Sequence, residues 1–444
     1  MTTSGTDSHD VSRRGAYAAL AALGLYGVLV AMGLPQRWTA AATNGAHVSA
    51  AADEPSHASA PHDEEHHGPT AAPPIWTVIP FALLLGAIAV LPLLPATEHW
   101  WESNLHRFIV AAGLGLVTLA YYAFLHRTPL ELHWPAHAVV APSAGAVQTG
   151  LVATVLINAL LGEYLPFIVL LLSLYTIAGG IRITGDLEAT PTVNASFMAV
   201  GAVLASVIGT TGAAMLLIRP LLETNRERKH VAHTVIFFIF TVCNCGGCLL
   251  PLGDPPLFLG YLQGVSFTWT LKLWPEWLFT NSLLLAAYWL GDRYYVRPRE
   301  TARDIRHDVV RQRRLVVSGA AVNVPLLAGV VLAVALLDPS KPIPGTDWHP
   351  WMYLREAVQL GLCAASLLVG SQAPRIENRF NFAAIIEVAA LFVGIFICMQ
   401  PALQILSANG QYLVERFDMG PGKFFWATGA LSSFLDNAPT YLVF

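Results

Sequence analysis

Long apolar segments separated by short polar ones dominate the chain. Most of them are about 20 residues long, the length that a helix needs to cross a hydrocarbon core about 30 Å thick. After a first run at 16–34, they lie at 75–95, 108–125, 164–181, 195–218, 232–250, 276–290, 315–337, 352–370, 383–399 and 425–444. The segment 150–161 is too short to span and is expected to form an interfacial helix or a turn before the next span. The pattern predicts an all-α polytopic protein embedded in a lipid bilayer.

The N-terminal part of the chain has two segments of different character. Residues 1–34 place an apolar run after Arg13 and Arg14, which is typical of a signal peptide or a signal anchor. Residues 35–74 are rich in Ala, Pro, His and acidic residues, and we expect a disordered linker because such a segment cannot bury a core. Residues 75–444 are expected to form the main membrane domain.

Composition agrees with a membrane protein and argues against other classes. Hydrophobic residues make up 55% of the chain and charged residues only 12%, whereas soluble domains have about 25% charged residues. No basic face indicates a nucleic acid partner. The sequence contains no nucleophile motif, phosphate-binding loop or HExxH motif, so it does not favour an enzyme, and no cofactor is expected.

Basic loops orient the predicted helices. The richest of them, 293–314, is placed in the cytoplasm by the positive-inside rule, and so is the basic loop at 226–229. The segment 195–218 must then begin and end on the cytoplasmic side, so it is predicted to be a re-entrant hairpin, with helix breakers around Gly209. The same count places the linker 35–74 outside the cytoplasm, with the protein in the plasma (cell inner) membrane.

The final run, 425–444, is also interrupted, at Asp436-Asn437-Ala438-Pro439-Thr440. Two broken segments that enter from opposite faces are typical of an inverted repeat, in which the breaks mark the substrate site near the bilayer midplane. The first repeat is expected at about 150–291 and the second at about 315–444. Because the chain stops at Phe444, inside the second hairpin, the second repeat is expected to be incomplete.

The two breaks define the candidate site for ion and substrate. A carboxylate at membrane depth is costly unless it is paired or hydrated, so Asp436 is predicted to bind Na⁺ or a proton. The neighbouring groups predicted to share in binding are Asn437, Thr440, Gly209, Thr210, Thr211 and Asn244. Weaker candidates are Asp254, Glu387, Ser433 and Arg219. The alternatives remain open: Asp436 at an exposed chain end, a small-residue packing seam at the first break, a turn cap for Asp254 and an interface pair for Glu387.

A cysteine trio and a histidine-rich segment are the other candidate metal sites. Cys243, Cys245 and Cys248 have the thiolates that soft metal ions prefer, but cysteines in membrane helices are more often small packing residues. The histidines of the linker, such as His62, His66 and His67, are interpreted as part of a solvated segment. No metal ligand is therefore predicted.

Four motifs resemble the ion transporter superfamily. They lie at 208–220, 244–247, 251–260 and 433–441, and the resemblance covers most of the chain from about Ile75 onward. Within the superfamily they are most similar to NhaD-type sodium/proton antiporters and to citrate transporters, with arsenite permeases as relatives. The resemblance implies two inverted repeats, each with a re-entrant hairpin, often in a homodimer. It places the hairpin tips at Gly209–Thr211 and at Asp436–Asn437.

Several functions are compatible with these features. Our first hypothesis is sodium/proton antiport, in which both ions compete for Asp436. The second is cation-coupled uptake of citrate or a related di- or tricarboxylate, and a weaker third is arsenite efflux, supported only by the cysteine trio. The alternative from a different class is a membrane-anchored metal or pH sensor that uses the His-rich linker. It is disfavoured because an anchor needs no broken helices.

Overall fold

The structure is a computed structural model that describes residues 4–52, 72–135, 138–300, 313–416 and 418–432. Helices dominate it. The α-helices are α1 (Ser4–Ala31), α2 (Leu34–Ala52), α3 (Ile79–Val90), α4 (Glu98–Trp101), α5 (Asn104–Phe124), α6 (Thr149–Leu156), α7 (Leu165–Ala178), α8 (Pro191–Ile208), α9 (Thr210–Thr224), α10 (Ala232–Phe238), α11 (Pro255–Leu262), α12 (Trp274–Gly291), α13 (Ala320–Leu336), α14 (Leu354–Val369), α15 (Gln372–Glu377), α16 (Ala383–Cys398), α17 (Gln400–Arg416) and α18 (Pro421–Ser432).

Short 3₁₀ and π segments extend several of these helices. The 3₁₀ segments are Ile75–Val78, Leu91–Leu93, Cys245–Leu249, Trp269–Leu273 and Arg297–Arg299, and the π segments are Ile157–Tyr164, Ile239–Asn244 and Asp292–Val296. There are also two small antiparallel sheets in the described residues. One pairs β1 (Leu130–Leu132) with β2 (Ala138–Val140), and the other pairs β3 (Arg182–Asp186) with β4 (Arg313–Ser318).

The apolar helices confirm a multi-pass membrane protein. Within the described residues, six helical stretches are long and apolar enough to cross a bilayer, or seven if the bent pair α16–α17 is one span. The six are Val11–Ala31, Ile75–Leu93, Asn104–Phe124, Thr149–Ala178, Pro191–Ile208 and Ala232–Leu249. Each has at least 18 residues, which suits the thickness of the hydrocarbon core.

The chain divides into two compact units. The first consists of the chain up to Val28 together with Val169–Leu337 and Leu354–Phe382, and the second consists of Leu29–Ile168, Asp338–Tyr353 and the chain from Ala383 onward. These units do not coincide with the two predicted repeats, since the first unit takes helices α13 to α15 from the expected second repeat. The inverted repeat therefore remains a prediction.

Within the second unit, α5 and α16 pack closely and run parallel. A methyl group added to Gly394 would lie 2.5 Å from the Ala111 carbonyl oxygen, and one added to Gly115 would lie 3.7 Å from Ile397 Cδ1. Small residues let membrane helices approach to this distance. Residues 111 and 115 of α5 contact residues 394 and 397 of α16, in the same order, so the two helices are parallel.

Three local expectations from the sequence differ from the structure. The segment 150–161 is not a separate interfacial element: it belongs to one helical stretch, Thr149–Ala178, because its apolar residues continue into the next run and the π segment joins them. Residues 35–52 of the expected linker lie in α2, whose alanine content favours a helix. The fold is also not purely α-helical, since the loops at 130–140 and 182–186 form the strands described above.

Candidate functional site

The break predicted in the run 195–218 lies at one residue. Helix α8 ends at Ile208 and α9 begins at Thr210, while Gly209 between them has φ +80° and ψ 152°, a conformation essentially restricted to glycine. Gly201 and Leu217, each eight residues from Gly209, are in contact, since a methyl group on Gly201 would lie 3.0 Å from Leu217 Cδ1. The two helices therefore form an antiparallel hairpin with Gly209 at its tip.

A second unwound stretch packs against this hairpin. After α10, the chain passes through the π segment Ile239–Asn244 and the 3₁₀ segment Cys245–Leu249 before α11 begins at Pro255. Glycines allow the close approach: a methyl group on Gly246 would lie 2.9 Å from Ala202 Cα, and one on Gly247 would lie 2.8 Å from Thr210 Cγ2. The sequence prediction of an unwound Asn-Cys-Gly-Gly segment agrees with this geometry.

Hydrogen bonds join the tip to the unwound stretch. The Thr210 amide donates to the Gly253 carbonyl oxygen at 3.0 Å. The buried Ser206 hydroxyl donates to the Gly246 carbonyl oxygen at 2.6 Å and accepts from the Leu249 amide at 3.3 Å. Ser206 was not among the predicted site residues, although it lies in the run of helix breakers that predicted the hairpin. Its role is to position the tip.

The tip presents hydrogen-bond donors. By helix geometry, the first-turn amides of Thr211 and Gly212 have no acceptor inside α9. The N-terminal end of a helix also carries a partial positive charge, which favours anionic groups. The Thr211 side chain is exposed, and so is the Asn244 carboxamide on the unwound stretch. This arrangement suits the oxygens of an anion such as a carboxylate.

The first-repeat candidates are assembled around this tip. Gly209, Thr210 and Thr211 form it, and Asp254 is the N-cap residue of α11, directly after the Gly253 carbonyl that accepts from Thr210. Asp254 has the backbone position of a cap, but its side chain makes no capping hydrogen bond to α11, so the cap role left open for it stays a prediction. The candidates of the second break, which are Ser433, Asp436, Asn437 and Thr440, lie outside the described residues, so their roles remain predictions.

Two weaker candidates are engaged elsewhere. Glu387 forms a salt bridge with Arg107 at 2.8 Å in the second unit, between α16 and α5, and its side chain is 43% exposed. This is the interface pair that the sequence left open. Arg219, in the second half of α9, donates to the carbonyl oxygens of Glu377 and Asn378 at 3.1 and 2.5 Å. It therefore holds the turn after α15.

The cysteine trio lies on the unwound stretch. Cys243, Cys245 and Cys248 are free thiols, each partly buried. No group of three or more His, Cys, Asp or Glu side chains that could hold a metal ion occurs within the described part of the chain.

A buried ionic network that the sequence did not predict joins the loop after α9 to the end of α12. Arg228 donates to both carboxylate oxygens of Asp292 and, through Nε, to Glu300 Oε1 at 2.7 Å. Burial alone would raise the pKa of Asp292, but hydrogen bonds from His233 and Arg228 outweigh it and lower this pKa to about 2. Its partners are far apart in sequence, so no local signal could have identified the network. It stabilises a loop predicted to be cytoplasmic.

The apolar helices define a multi-pass membrane protein, and a family model places it in the transporter class. The family model described as "Putative citrate transport" matches residues 125–444. The chain therefore belongs to this family, which lies within the ion transporter superfamily, and the resemblance seen in the sequence is confirmed. No curated protein and no solved structure matches the chain.

Proposed function

We propose that the protein is a secondary active transporter that takes up citrate or a related di- or tricarboxylate together with a coupling cation. The observation that carries the proposal is the tip at Gly209, where the first-turn amides of α9 stand at its positive end beside the exposed Thr211 side chain. Carboxylate oxygens are natural partners for such donors. The family match supports the same class of substrate.

Sodium/proton antiport, the first hypothesis from the sequence, has less support. It depends on Asp436, which lies outside the described residues. The described break offers donors and a helix N-terminus, which favour anions over Na⁺. Asp436, Asn437 and Thr440 then have a natural role as oxygen ligands for the coupling cation, beside a carboxylate held by the first tip.

Transport would follow alternating access, the mechanism of transporters built around broken helices. The substrate carboxylates would bind at the Gly209 tip, and Ser206 and the Gly253 carbonyl would keep the tip rigid. We further propose a plasma membrane location with the segment 35–74 outside the cytoplasm, and assembly as a homodimer. No resident cofactor takes part in this scheme.

Uptake in proteoliposomes tests the proposal. Purified protein is reconstituted, and labelled citrate uptake is measured under an imposed pH gradient and, separately, a Na⁺ gradient. We expect at least one gradient to drive citrate accumulation, with unlabelled succinate and tricarballylate as competitors. Vesicles that move no citrate, but in which Na⁺ alone collapses the pH gradient, would establish antiport instead.

A matched pair of variants tests the site itself. Thr211→Val removes the exposed hydroxyl at the tip, and Thr268→Val makes the same change at an exposed loop position of the same unit. Loss of a hydrogen bond to a charged group, worth about 1.5–3 kcal/mol, should raise the citrate KM at least tenfold in the first variant. The second variant should match the wild type. Equal KM values for both variants would remove Thr211 from the site.

A further inference from the structure

One face of α14 is polar and buried over most of its length. This helix corresponds to the predicted span 352–370, and at 16 residues it is about 24 Å long. Arg355 and Glu356 are adjacent and lie four and three positions before Gln359, and the residues after Gln359 follow at steps of four and three, so that they line up along the helix. They are Arg355, Glu356, Gln359, Cys363 and Ser366, with exposures of 6%, 4%, 0%, 2% and 0%.

Gln359, at the centre of this face, has a polar side chain that the protein does not satisfy. Its Oε1 and Nε2 atoms are both buried and neither has a hydrogen-bond partner. Leaving a buried amide unpaired is costly, so such groups ordinarily bind an internal water or a ligand. The Gln359 amide therefore has the unpaired donor and acceptor that an internal water would bind.

An ion pair lies one turn from Gln359. Arg355 donates to Glu356 Oε1 through Nε at 2.8 Å and through Nη2 at 2.6 Å. The titratable groups near this pair within the described part of the chain include the phenol of Tyr26 on α1, beside Glu356, and Tyr261 on α11, beside Arg355. Helix α13, which packs against α14, has no titratable residue. Glu356 is thus an acid in a protein interior, close to a guanidinium group and to phenols.

The ion pair also contacts the helix that leaves the substrate site. The Arg355 guanidinium lies 5.7 Å from the ring centroids of both Phe258 and Tyr261 on α11. Phe258 is only four residues beyond Asp254, where the unwound stretch beside the Gly209 tip ends. A change in the charge of the Arg355–Glu356 pair therefore acts on α11, the helix that begins directly after Asp254 of the candidate site.

At the opposite end of the polar face, beside Ser366, lies the buried guanidinium group of Arg375. Arg375, which is 0% exposed, donates to the Ser366 carbonyl oxygen at 3.0 Å, to its hydroxyl at 2.6 Å and to the Thr176 carbonyl oxygen at 2.7 Å. The Ser366 hydroxyl in turn donates to Asn323 Oδ1 at 2.5 Å. A fixed positive charge is an electrostatic barrier to protons and cations. Arg375 therefore places a positive charge at the Ser366 end of this face, opposite the Glu356 end.

We propose that Glu356 accepts the coupling proton, that Gln359 holds the water that delivers it, and that Arg355 transmits the change of charge to α11. The inference rests on the proposed function and names its coupling ion and acceptor. In the step, a hydronium ion gives its proton to the Glu356 carboxylate, an O–H bond forms and a water molecule remains. The neutral acid holds Arg355 less strongly, so the guanidinium shifts together with the Phe258 and Tyr261 rings of α11. The shift of α11 moves Asp254, at its start, relative to the bound carboxylate.

The test compares two citrate assays in the same proteoliposomes. One is accumulation driven by a pH gradient, and the other is counterflow at equal pH, which needs substrate exchange but no net proton transfer. Glu356→Gln should lose the driven accumulation and keep counterflow. Glu276→Gln, a carboxylate exposed at the start of α12, should retain both. Driven accumulation by Glu356→Gln would overturn the proposal.

Two further variants keep the test decisive if Glu356→Gln is unstable. Glu356→Asp retains an acid and should restore part of the driven accumulation. Gln359→Leu keeps the ion pair and should slow driven uptake without changing counterflow, so a variant equal to the wild type in both assays refutes the role of Gln359. A wild type driven by Na⁺ but never by a pH gradient overturns this inference alone. A wild type that moves no citrate under either gradient overturns the proposed function with it.

Discussion

Replacing Gly209 with alanine tests the link between the hairpin tip and transport. At φ +80° and ψ 152°, a side chain is strained, at a cost of about 1–3 kcal/mol. The new methyl group would also lie 3.4 Å from the Leu252 carbonyl oxygen, next to the Gly253 carbonyl that accepts from Thr210. That distance is an ordinary van der Waals contact, so the strain comes from the backbone angles and is relieved when the tip changes its conformation. A penalty of this size corresponds to about a 5–150-fold loss of the native tip conformation.

The assay measures citrate uptake and thermal unfolding in detergent on the same preparation. Gly209→Ala should raise the citrate KM within that range, or lower the unfolding temperature if the whole hairpin yields. Gly113→Ala in α5 is the control, because its methyl group would meet no atom within 4 Å, and alanine in a helix is favoured over glycine by about 0.5–1 kcal/mol. A Gly209→Ala protein that matches the wild type in both measurements would refute the assignment of the tip.

Three further changes separate positioning, structural and peripheral roles. Ser206→Ala removes the hydroxyl that bonds Gly246 and Leu249, so it should destabilise the protein by about 1–3 kcal/mol in a melting experiment; an unchanged melting curve contradicts this. Because the pKa of Asp292 is lowered from 3.8 to about 2, its stabilising effect is present above pH 4 and is lost as the pH falls towards 2. Melting between pH 5 and 2 should show this loss in the wild type and not in Asp292→Asn. Glu387→Gln breaks a partly exposed pair, so it should cost at most about 1 kcal/mol and leave the citrate KM unchanged; a large KM change would restore Glu387 to the site.

The sequence predicts the helices and the break for simple physical reasons. An apolar run of membrane length has few alternatives to a helix, because every backbone group must be satisfied within the bilayer. The positive-inside rule requires the run 195–218 to begin and end on the same side of the membrane, so it cannot be one straight span. Gly209, which stands in this run near hydroxyl-bearing residues, is the natural place for the break. The conformation that the structure gives to Gly209 is one that a side chain would strain.

Other features depend on information that local patterns lack. The helix Thr149–Ala178 continues through a π segment, because its residues are apolar enough to remain helical where a boundary was expected. Partners such as Arg107 with Glu387, or Arg228 with Asp292, are distant in the chain, and only the packing of the helices brings them together. For the same reason the sequence identified Glu387 as an isolated carboxylate.

Helix α14 shows why hydropathy and function separate in such a protein. It lies in the apolar run 352–370, but at 16 residues it is shorter than the 18-residue helices that count as membrane spans, and its polar side chains are buried. A helix with these two properties cannot face lipid on that side, so its polar face must be turned towards the protein interior. The apolar run 352–370 therefore predicts the helix, but hydropathy alone does not show that Glu356 and Gln359 share a buried face. In a transporter, the segments that match the bilayer least well are those in which binding and coupling groups are to be sought.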